Sequence, residues 1–228
     1  MVVSKENMEE LNDIRDTFYS VLKGMDVFSP DDEGRIEFNG RRLVLIDTES
    51  FAIPFEIMGP VNKQVMYQLG IRAGKEIMEN MLTEKKIIER FNDVLDEFDE
   101  ERVKNIRKAL DRYGTDSLEG ILSKTAGYGI YAGWASDIMV PEVDDENKYV
   151  RWKAENLFEA YAKRIREVSS GEPVCNFTAG VLAGYQMVLW DSENISTREL
   201  KCSVKENGFC EFEVFKDDET EEVGGNGE

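Results

Sequence analysis

Three cysteines in the last quarter of the chain have types and spacing suited to holding a metal ion. Cys202 and Cys210 bracket the sequence CSVKENGFC, which predicts two strands joined by a tight turn. Cys175 ends the sequence EPVC, immediately before a stretch with helical spacing. A thiolate at a helix N-terminus has its pKa lowered, which favours metal ligation. Together the three sulfurs can form most of a tetrahedral zinc site.

A tetrahedral site needs a fourth ligand, and the chain contains no histidine. The fourth ligand must therefore be a carboxylate, a carbonyl or water. Glu199 is the natural candidate because it precedes Cys202 by three residues on the same expected strand. In a regular strand residues 199 and 202 face opposite sides, so both reach one ion only at a bulge or a strand end.

Two other interpretations of the cysteines remain open at this level. The expected turn brings Cys202 and Cys210 close enough for a disulfide, although an odd number of cysteines in a cytoplasmic chain is poorly explained by one bridge. Unpaired cysteine is also often a small buried hydrophobic residue. No CxxC motif is present to decide between a metal site and a packed core.

The missing histidine also removes the most common catalytic groups. Neither a Ser-His-Asp triad nor a Cys-His pair can form. Carboxylates are plentiful but no pair stands out, so the sequence assigns no catalytic residue. The glycines of GYGIYAG (127–133) match a dinucleotide-binding motif, but that motif follows a strand and opens a helix. Here a helical stretch precedes the glycines and a strand-like run follows.

Aromatic residues are concentrated between residues 128 and 152, in what the pattern predicts to be two strands. An aromatic set on a sheet beneath helices is usually core. It can instead line an apolar pocket in which a few polar tips orient a ligand. The candidates for ligand contact are Trp134, Trp152 and Tyr131.

Helical periodicity dominates the first half of the chain. Apolar residues recur at helical spacing in an amphipathic helix over 6–23, a long helix over 55–82 and a long, charged helical stretch over 84–124. Gly70 and Gly74 lie four residues apart on the second helix, where they would let another element approach closely.

Strand patterns dominate the second half. Two antiparallel strands are predicted over 128–140 and 148–157, and hairpins over 35–46 and 195–215. The helix predicted over 171–190 has a thin face of alanine and glycine. We therefore expect an α+β fold, with an antiparallel sheet packed against helices and the cysteine site between the last helix and the last hairpin. Residues 1–216 should form one domain, and 217–228 a disordered acidic tail.

The charge and hydropathy of the chain restrict its partners. It has 47 acidic and 28 basic residues and a net charge of −19. Such a surface repels phosphate backbones, so we expect no direct nucleic-acid binding. No apolar run approaches the ~20 residues that a membrane span needs. The first residues, MVVSKENMEE, lack the apolar run of a signal peptide. We expect a soluble, cytoplasmic protein.

Two segments carry a family resemblance. EPVCNFTAGVLAGYQMVLW and RELKCSVKENGFCEFEV resemble the 4-vinyl reductase (4VR) domain, in which a PVC…GxxxG helix precedes an ExxC…G…CEFEV hairpin. Phenol- and xylene-sensing bacterial activators carry this domain as their sensor, and many archaeal proteins consist of little else. The resemblance is close over 172–215 and looser over 34–82, and the helical stretch at 84–124 is longer than usual for the family.

The resemblance implies a zinc ion held by three cysteines and one glutamate. By motif these are Cys175, Glu199, Cys202 and Cys210. It also implies a sensor module for a small apolar or aromatic ligand, pairing as a homodimer through the first helix, and a downstream regulatory protein. Two alternatives accompany it. The family name suggests an enzyme that reduces a vinyl group on a tetrapyrrole, and a fold shared with vesicle-tethering subunits suggests a scaffold.

Overall fold

The computed structural model describes residues 5–24, 36–38, 41–43, 61–83, 99–113, 117–165, 175–204 and 208–217. The helices are α1 (Lys5–Gly24), α2 (Val61–Thr83), α3 (Glu100–Tyr113), α4 (Leu118–Tyr131), α5 (Phe158–Ile165) and α6 (Asn176–Leu189). The strands are β1 (Ile36–Phe38), β2 (Arg41–Leu43), β3 (Asp137–Asp144), β4 (Tyr149–Glu155), β5 (Ile195–Lys201) and β6 (Phe209–Lys216).

Strands β3 to β6 form one antiparallel sheet in the order β3-β4-β6-β5, and β1 pairs with β2 in a separate hairpin. Period-two alternation along β4 and β6 places one face of the sheet in the core. The buried residues of that face include Val150, Trp152, Ala154, Cys210, Phe212 and Val214. The α+β class and both predicted hairpins are confirmed.

Helix α6 crosses α2 with glycine against glycine. A Cβ atom added at Gly180 would lie 2.1 Å from the carbonyl oxygen of Tyr67, and one at Gly70 would lie 2.2 Å from the carbonyl oxygen of Phe177. Real Cβ atoms do not approach backbone this closely, so only glycine allows this crossing. The close approach predicted for the glycines of both helices is confirmed, and it fixes where α6 lies.

Helix α1 packs against α4 and α3, and its apolar stripe is buried within the chain. A Cβ atom at Gly127 of α4 would lie 2.6 Å from the carbonyl oxygen of Arg15. The buried residues of the stripe are Leu11, Ile14, Phe18, Val21 and Leu22. We expected the first helix to be the seam of a dimer. Its apolar side chains form part of the core, so a seam on this helix would use its other residues.

The prediction of a strand over 128–140 is wrong in its first half. Helix α4 continues to Tyr131, a turn with Gly133 at φ +75° follows, and β3 begins only at Asp137. The glycine-rich run GYGIY is helical despite the weak helix propensity of glycine, and the close approach of α1 explains why residue 127 is glycine. Tyr128 and Tyr131 therefore lie on a helix rather than on a strand.

Helix α5 was not predicted. The sequence pattern predicted a strand over 148–157 and no element directly after it. The predictions for residues 84–98, for the turn at 205–207 and for the tail at 218–228 lie outside the described residues. Within the described ranges, no helix has both the length and the apolar character that crossing a membrane requires.

Candidate metal centre and ligand cavity

Four side chains converge where the start of α6 meets the last hairpin. Cys175 is the N-cap residue of α6, Glu199 lies on β5, Cys202 directly follows β5, and Cys210 lies on β6. Their ligand atoms all lie within 4.8 Å of one another. The Cys175 sulfur is 3.9 Å from that of Cys202 and 3.8 Å from that of Cys210. Tetrahedral coordination with bonds of ~2.3 Å places sulfurs ~3.8 Å apart, so this spacing fits one metal ion.

A bulge in β5 brings Glu199 and Cys202 to the same side. Glu199 pairs with Phe212 and Lys201 pairs with Glu211, so Leu200 is the extra residue between two register positions. The strand ends at Lys201, immediately before Cys202. The sequence required a bulge or a strand end here, and both are present.

The Glu199 carboxylate has one oxygen engaged and one without a hydrogen bond. Its Oε2 accepts the backbone N–H of Cys175 at 3.0 Å. Its Oε1 is buried and accepts no hydrogen bond from the described part of the chain. A buried carboxylate oxygen without a partner costs free energy, and ligation of a cation beside the three sulfurs would remove that cost. This orphaned oxygen indicates that the cluster suits a metal.

In the metal-free chain, few of the four groups in the cluster carry a negative charge. Hydrogen bonds from the Cys175 and Cys202 thiols, with further ones from Ser203, lower the pKa of Cys210 to about 4. Burial raises the pKa of Cys175 well above its ordinary value, so the expected lowering at the helix N-terminus is wrong without a metal. Burial, and then the neighbouring Cys202, raise the pKa of Glu199 to about 7.

A divalent cation is the natural counter-charge for these groups. Metal ligation requires thiolates and a carboxylate, so binding releases the protons that burial otherwise retains. The Cys210 sulfur also accepts the backbone N–H of Ser203 at 3.4 Å, which orients it within the cluster. All three cysteines are free thiols, and no disulfide joins Cys202 to Cys210.

A second feature lies beneath α6, between that helix, α4 and the sheet. It is an apolar cavity of ≈ 30 Å³. Its lining residues are Thr125, Ala126, Gly129, Trp134, Ile138, Trp152, Ala154, Leu157, Thr178, Leu182, Tyr185 and Phe212. None of these side chains is charged at neutral pH, since burial raises the pKa of Tyr185 well above its ordinary value.

The polar group of interest in this lining is the indole N–H of Trp152. The side chain is buried against Tyr185, with ring centroids 6.3 Å apart. Its Nε1 atom is buried and has no hydrogen-bond partner among the residues that the structure describes. Indole is a donor only, so an acceptor atom is the group that could satisfy it.

Two of the three predicted ligand-contact residues, Trp134 and Trp152, line the cavity. The third, Tyr131, is not part of the lining, and its ring packs against that of Tyr19 with centroids 6.2 Å apart. The sequence reasoning missed the lining residues of α6. They lie at 178, 182 and 185, a spacing that places them on one helix face and could have identified them.

Comparisons with known proteins support the fold. No family model matches the chain, and no curated protein matches it. Among solved structures, it is similar to the phenol-responsive sensory domain of the transcription activator PoxR, solved with phenol. The TM-score is 0.65 and the identity 18%, over 89% of this chain and 90% of that chain.

A vinyl-4-reductase family protein from Methanocaldococcus jannaschii matches with a TM-score of 0.41 and 18% identity, over 77% of this chain and 85% of that chain. The fold of this chain is that of the PoxR sensory domain, as the sequence resemblance predicted.

Proposed function

We propose that this chain is a sensor domain that binds a small, neutral aromatic molecule in the cavity and holds a structural zinc ion at the cysteine cluster. The observation that carries the ligand proposal is that Trp152, a residue of the uncharged apolar lining, has a buried indole N–H with no partner among the described residues. A buried donor without an acceptor costs ~1–3 kcal/mol, and a ligand oxygen would remove this cost. A phenol-type hydroxyl on an aromatic ring has the required chemistry, and the PoxR domain of like fold is described as phenol-responsive.

The size of the cavity determines how an aromatic ligand could enter it. Its ≈ 30 Å³ exceeds the ~10–15 Å³ that one water needs, but is far below the ~150 Å³ of an engineered cavity that binds benzene. An aromatic ligand must therefore displace part of the wall. A ligand that binds only the displaced state shifts the population toward that state, which is how a binding event becomes a signal.

Three sulfurs and one carboxylate oxygen form a donor set typical of zinc. Four protein ligands leave no open position on a tetrahedral ion, so the proposed role is structural. A bound zinc would supply a cross-link between the start of α6 and the last hairpin. Free thiols also suit the reducing cytoplasm that we propose as the location of the protein.

We also propose that a regulatory protein binds the chain and responds to the displacement of the cavity wall, and that the chain pairs with a second copy of itself. The buried stripe of α1 is already part of the core, so a homodimer would use another surface. Native mass spectrometry of protein from its own host separates the alternatives. A bound organic molecule supports the sensor, a flavin or tetrapyrrole would support an enzyme, and an empty heteromeric assembly would support a scaffold.

Calorimetric titration with phenol tests the ligand site directly. The zinc-loaded chain should bind phenol, and Trp152→Phe should lose at least about tenfold in affinity because a hydrogen bond is lost from a buried site. Trp190→Phe is the matched control, since Trp190 is not part of the lining. Absence of binding, or equal losses in the two variants, would refute the ligand site.

A further inference from the structure

The first turn of α6 is held by two carboxylates from different elements. Glu199 on β5 accepts the N–H of Cys175 at 3.0 Å. Glu159 on α5 accepts the N–H of Phe177 at 3.1 Å on one oxygen and the N–H of Thr178 at 2.7 Å on the other. Cys175 provides no side-chain cap for this helix, so the two carboxylates satisfy the backbone donors that a helix start leaves open.

Glu159 is buried, with 2% of its surface exposed. A carboxylate in such a place costs free energy unless hydrogen bonds compensate its lost hydration. The hydrogen bonds that it accepts from the described residues all come from the first turn of α6. The hydrogen bonds to this turn therefore explain why the Glu159 carboxylate can be buried.

The same turn reaches both functional features. Its N-cap is Cys175, a member of the cysteine cluster, and three positions later Thr178 lines the cavity. Leu157, two residues before Glu159 in the chain, also lines the cavity. Glu159 thus lies between the cysteine cluster and the cavity. It binds the first turn of α6, and Leu157, close to it in the chain, lines the cavity.

An aromatic triad extends this connection. The ring of Phe177 packs edge-on against that of Trp134, with centroids 6.2 Å apart. Phe158 contacts both rings, each at 6.3 Å. Because Trp134 lines the cavity, a displacement of the first turn of α6 is transmitted to the cavity wall through packed rings.

We infer that Glu159 is a positioning residue that fixes the first turn of α6 for both the metal centre and the cavity, so that metal affinity and ligand affinity are linked. A bound metal orders this turn, and a ligand then loses less conformational entropy when it binds. By reciprocity the ligand raises the metal affinity by the same factor. The part of this inference that concerns the ligand rests on the proposed function.

Cobalt titration tests the metal half without any ligand. Co²⁺ bound to thiolates absorbs strongly, and competition with a chelator gives its affinity and the band position reports its coordination. Glu159→Ala should weaken Co²⁺ binding by about tenfold and shift the band, because the turn that follows Cys175 loses two backbone hydrogen bonds. Glu159→Gln retains an oxygen acceptor and should recover part of this loss.

Ser117→Ala is the matched control for Glu159→Ala. The Ser117 hydroxyl caps α4 by accepting the N–H of Gly120 at 3.0 Å, and Ser117 is outside the cysteine cluster. Its loss destabilises a helix start in the same way, but should leave the Co²⁺ affinity and spectrum unchanged. Equal effects of Ser117→Ala and Glu159→Ala, or unchanged Co²⁺ binding in both Glu159 variants, would overturn the positioning role.

Phenol titrations of the zinc-loaded and metal-free chain test the linkage. Zinc should raise the phenol affinity of the wild type by a factor in the usual allosteric range of ~5–150. The factor should approach 1 in Glu159→Ala and stay at the wild-type value in Ser117→Ala. A wild-type factor of 1 refutes the linkage. If the wild type binds Co²⁺ but no phenol, the proposed ligand and the linkage both fail, and the cobalt titration alone decides the role of Glu159. If Glu159→Ala does not fold, Glu159→Gln decides.

Discussion

The side of α6 that faces α2 and the side that faces the cavity are packed to opposite extremes. Toward α2 the backbones touch, and a Cβ atom at Gly184 would lie 2.3 Å from the carbonyl oxygen of Ile71. Toward the sheet, ≈ 30 Å³ stays open beside Thr178 and Tyr185. Protein interiors are otherwise close-packed. The difference indicates that α6 is fixed against α2 and against the cysteine cluster, while the cavity side is where a change can occur.

Removing a cysteine should release the fixed start of α6 and have the largest effect. Apparent zinc affinities of structural sites are worth roughly 10–16 kcal/mol, part of which is folding free energy. We expect Cys210→Ser to lose zinc and to unfold at a lower temperature. Elemental analysis should give one zinc per wild-type chain, and thermal unfolding measures the loss of stability.

Glu199→Gln is the graded comparison for Cys210→Ser. An amide oxygen can still ligate, so this variant should retain more zinc and more stability than Cys210→Ser. Metal-free wild-type protein, or a Cys202–Cys210 disulfide in the cell, would contradict the metal centre.

Filling the glycine crossing should have the next largest effect. Gly180→Ala places a methyl group 2.1 Å from the carbonyl oxygen of Tyr67 and 3.0 Å from the Cα of Gly70, so backbone must shift on both helices. We expect the free energy of unfolding to fall by about 3 kcal/mol or more. Urea denaturation measures it.

Gly208→Ala is the control for the crossing, because a Cβ atom there would meet no atom of the described residues within 4 Å. It should change the free energy of unfolding by less than about 1 kcal/mol. Equal losses in the two variants would mean that the cost comes from losing glycine rather than from the crossing.

These fixed regions are also the ones that sequence reasoning located best. Residue types and spacing made the four members of the cluster candidates, and the family resemblance favoured a metal site over a packed core. The alternation of a strand required a bulge or a strand end, and a bulge lies at Leu200. Helical periodicity predicted α1, α2 and α6. The strand predicted over 128–140 was half wrong because Gly127 reflects close packing on α1, a tertiary effect, rather than the end of a helix. The cavity lies between separate elements, so no local pattern describes it, and only its two tryptophans were named.

The pH dependence of stability tests Glu159, which lies between the fixed start of α6 and the open cavity side. Burial raises the pKa of Glu159 from 4.5 to about 7 in the metal-free chain. The folded state then binds a proton that the unfolded state releases above pH ~4.5, so this contribution is present at low pH and lost as pH rises through about 7. Its full size is on the order of 3–4 kcal/mol.

Glu159→Gln removes this contribution and should lose less stability than the wild type between pH 5 and 8. Glu199 contributes in the same direction to both proteins, so the difference between the two curves isolates Glu159. Denaturant unfolding of the metal-free proteins across this range gives the comparison. Parallel curves would show that Glu159 titrates normally.

The smallest effect on stability should come from the open side, where the effect on binding is largest. Gly129 lies in α4 and lines the cavity, and among the described residues a Cβ atom there would meet only the Cδ1 atom of Ile138, at 2.7 Å. That atom is the end of a flexible side chain and can move. Alanine in place of glycine also favours a helix by ~1 kcal/mol, which offsets the cost of moving it.

Gly129→Ala should therefore change the free energy of unfolding by less than about 1 kcal/mol. The added methyl group shrinks the cavity, so phenol affinity should fall by about tenfold, or ~1.4 kcal/mol. Urea denaturation and calorimetric titration measure the two quantities on the same preparation. A variant that binds phenol as tightly as the wild type would place the ligand away from this wall, and one that unfolds as readily as Gly180→Ala would show that the cavity side is as tightly packed as the glycine crossing.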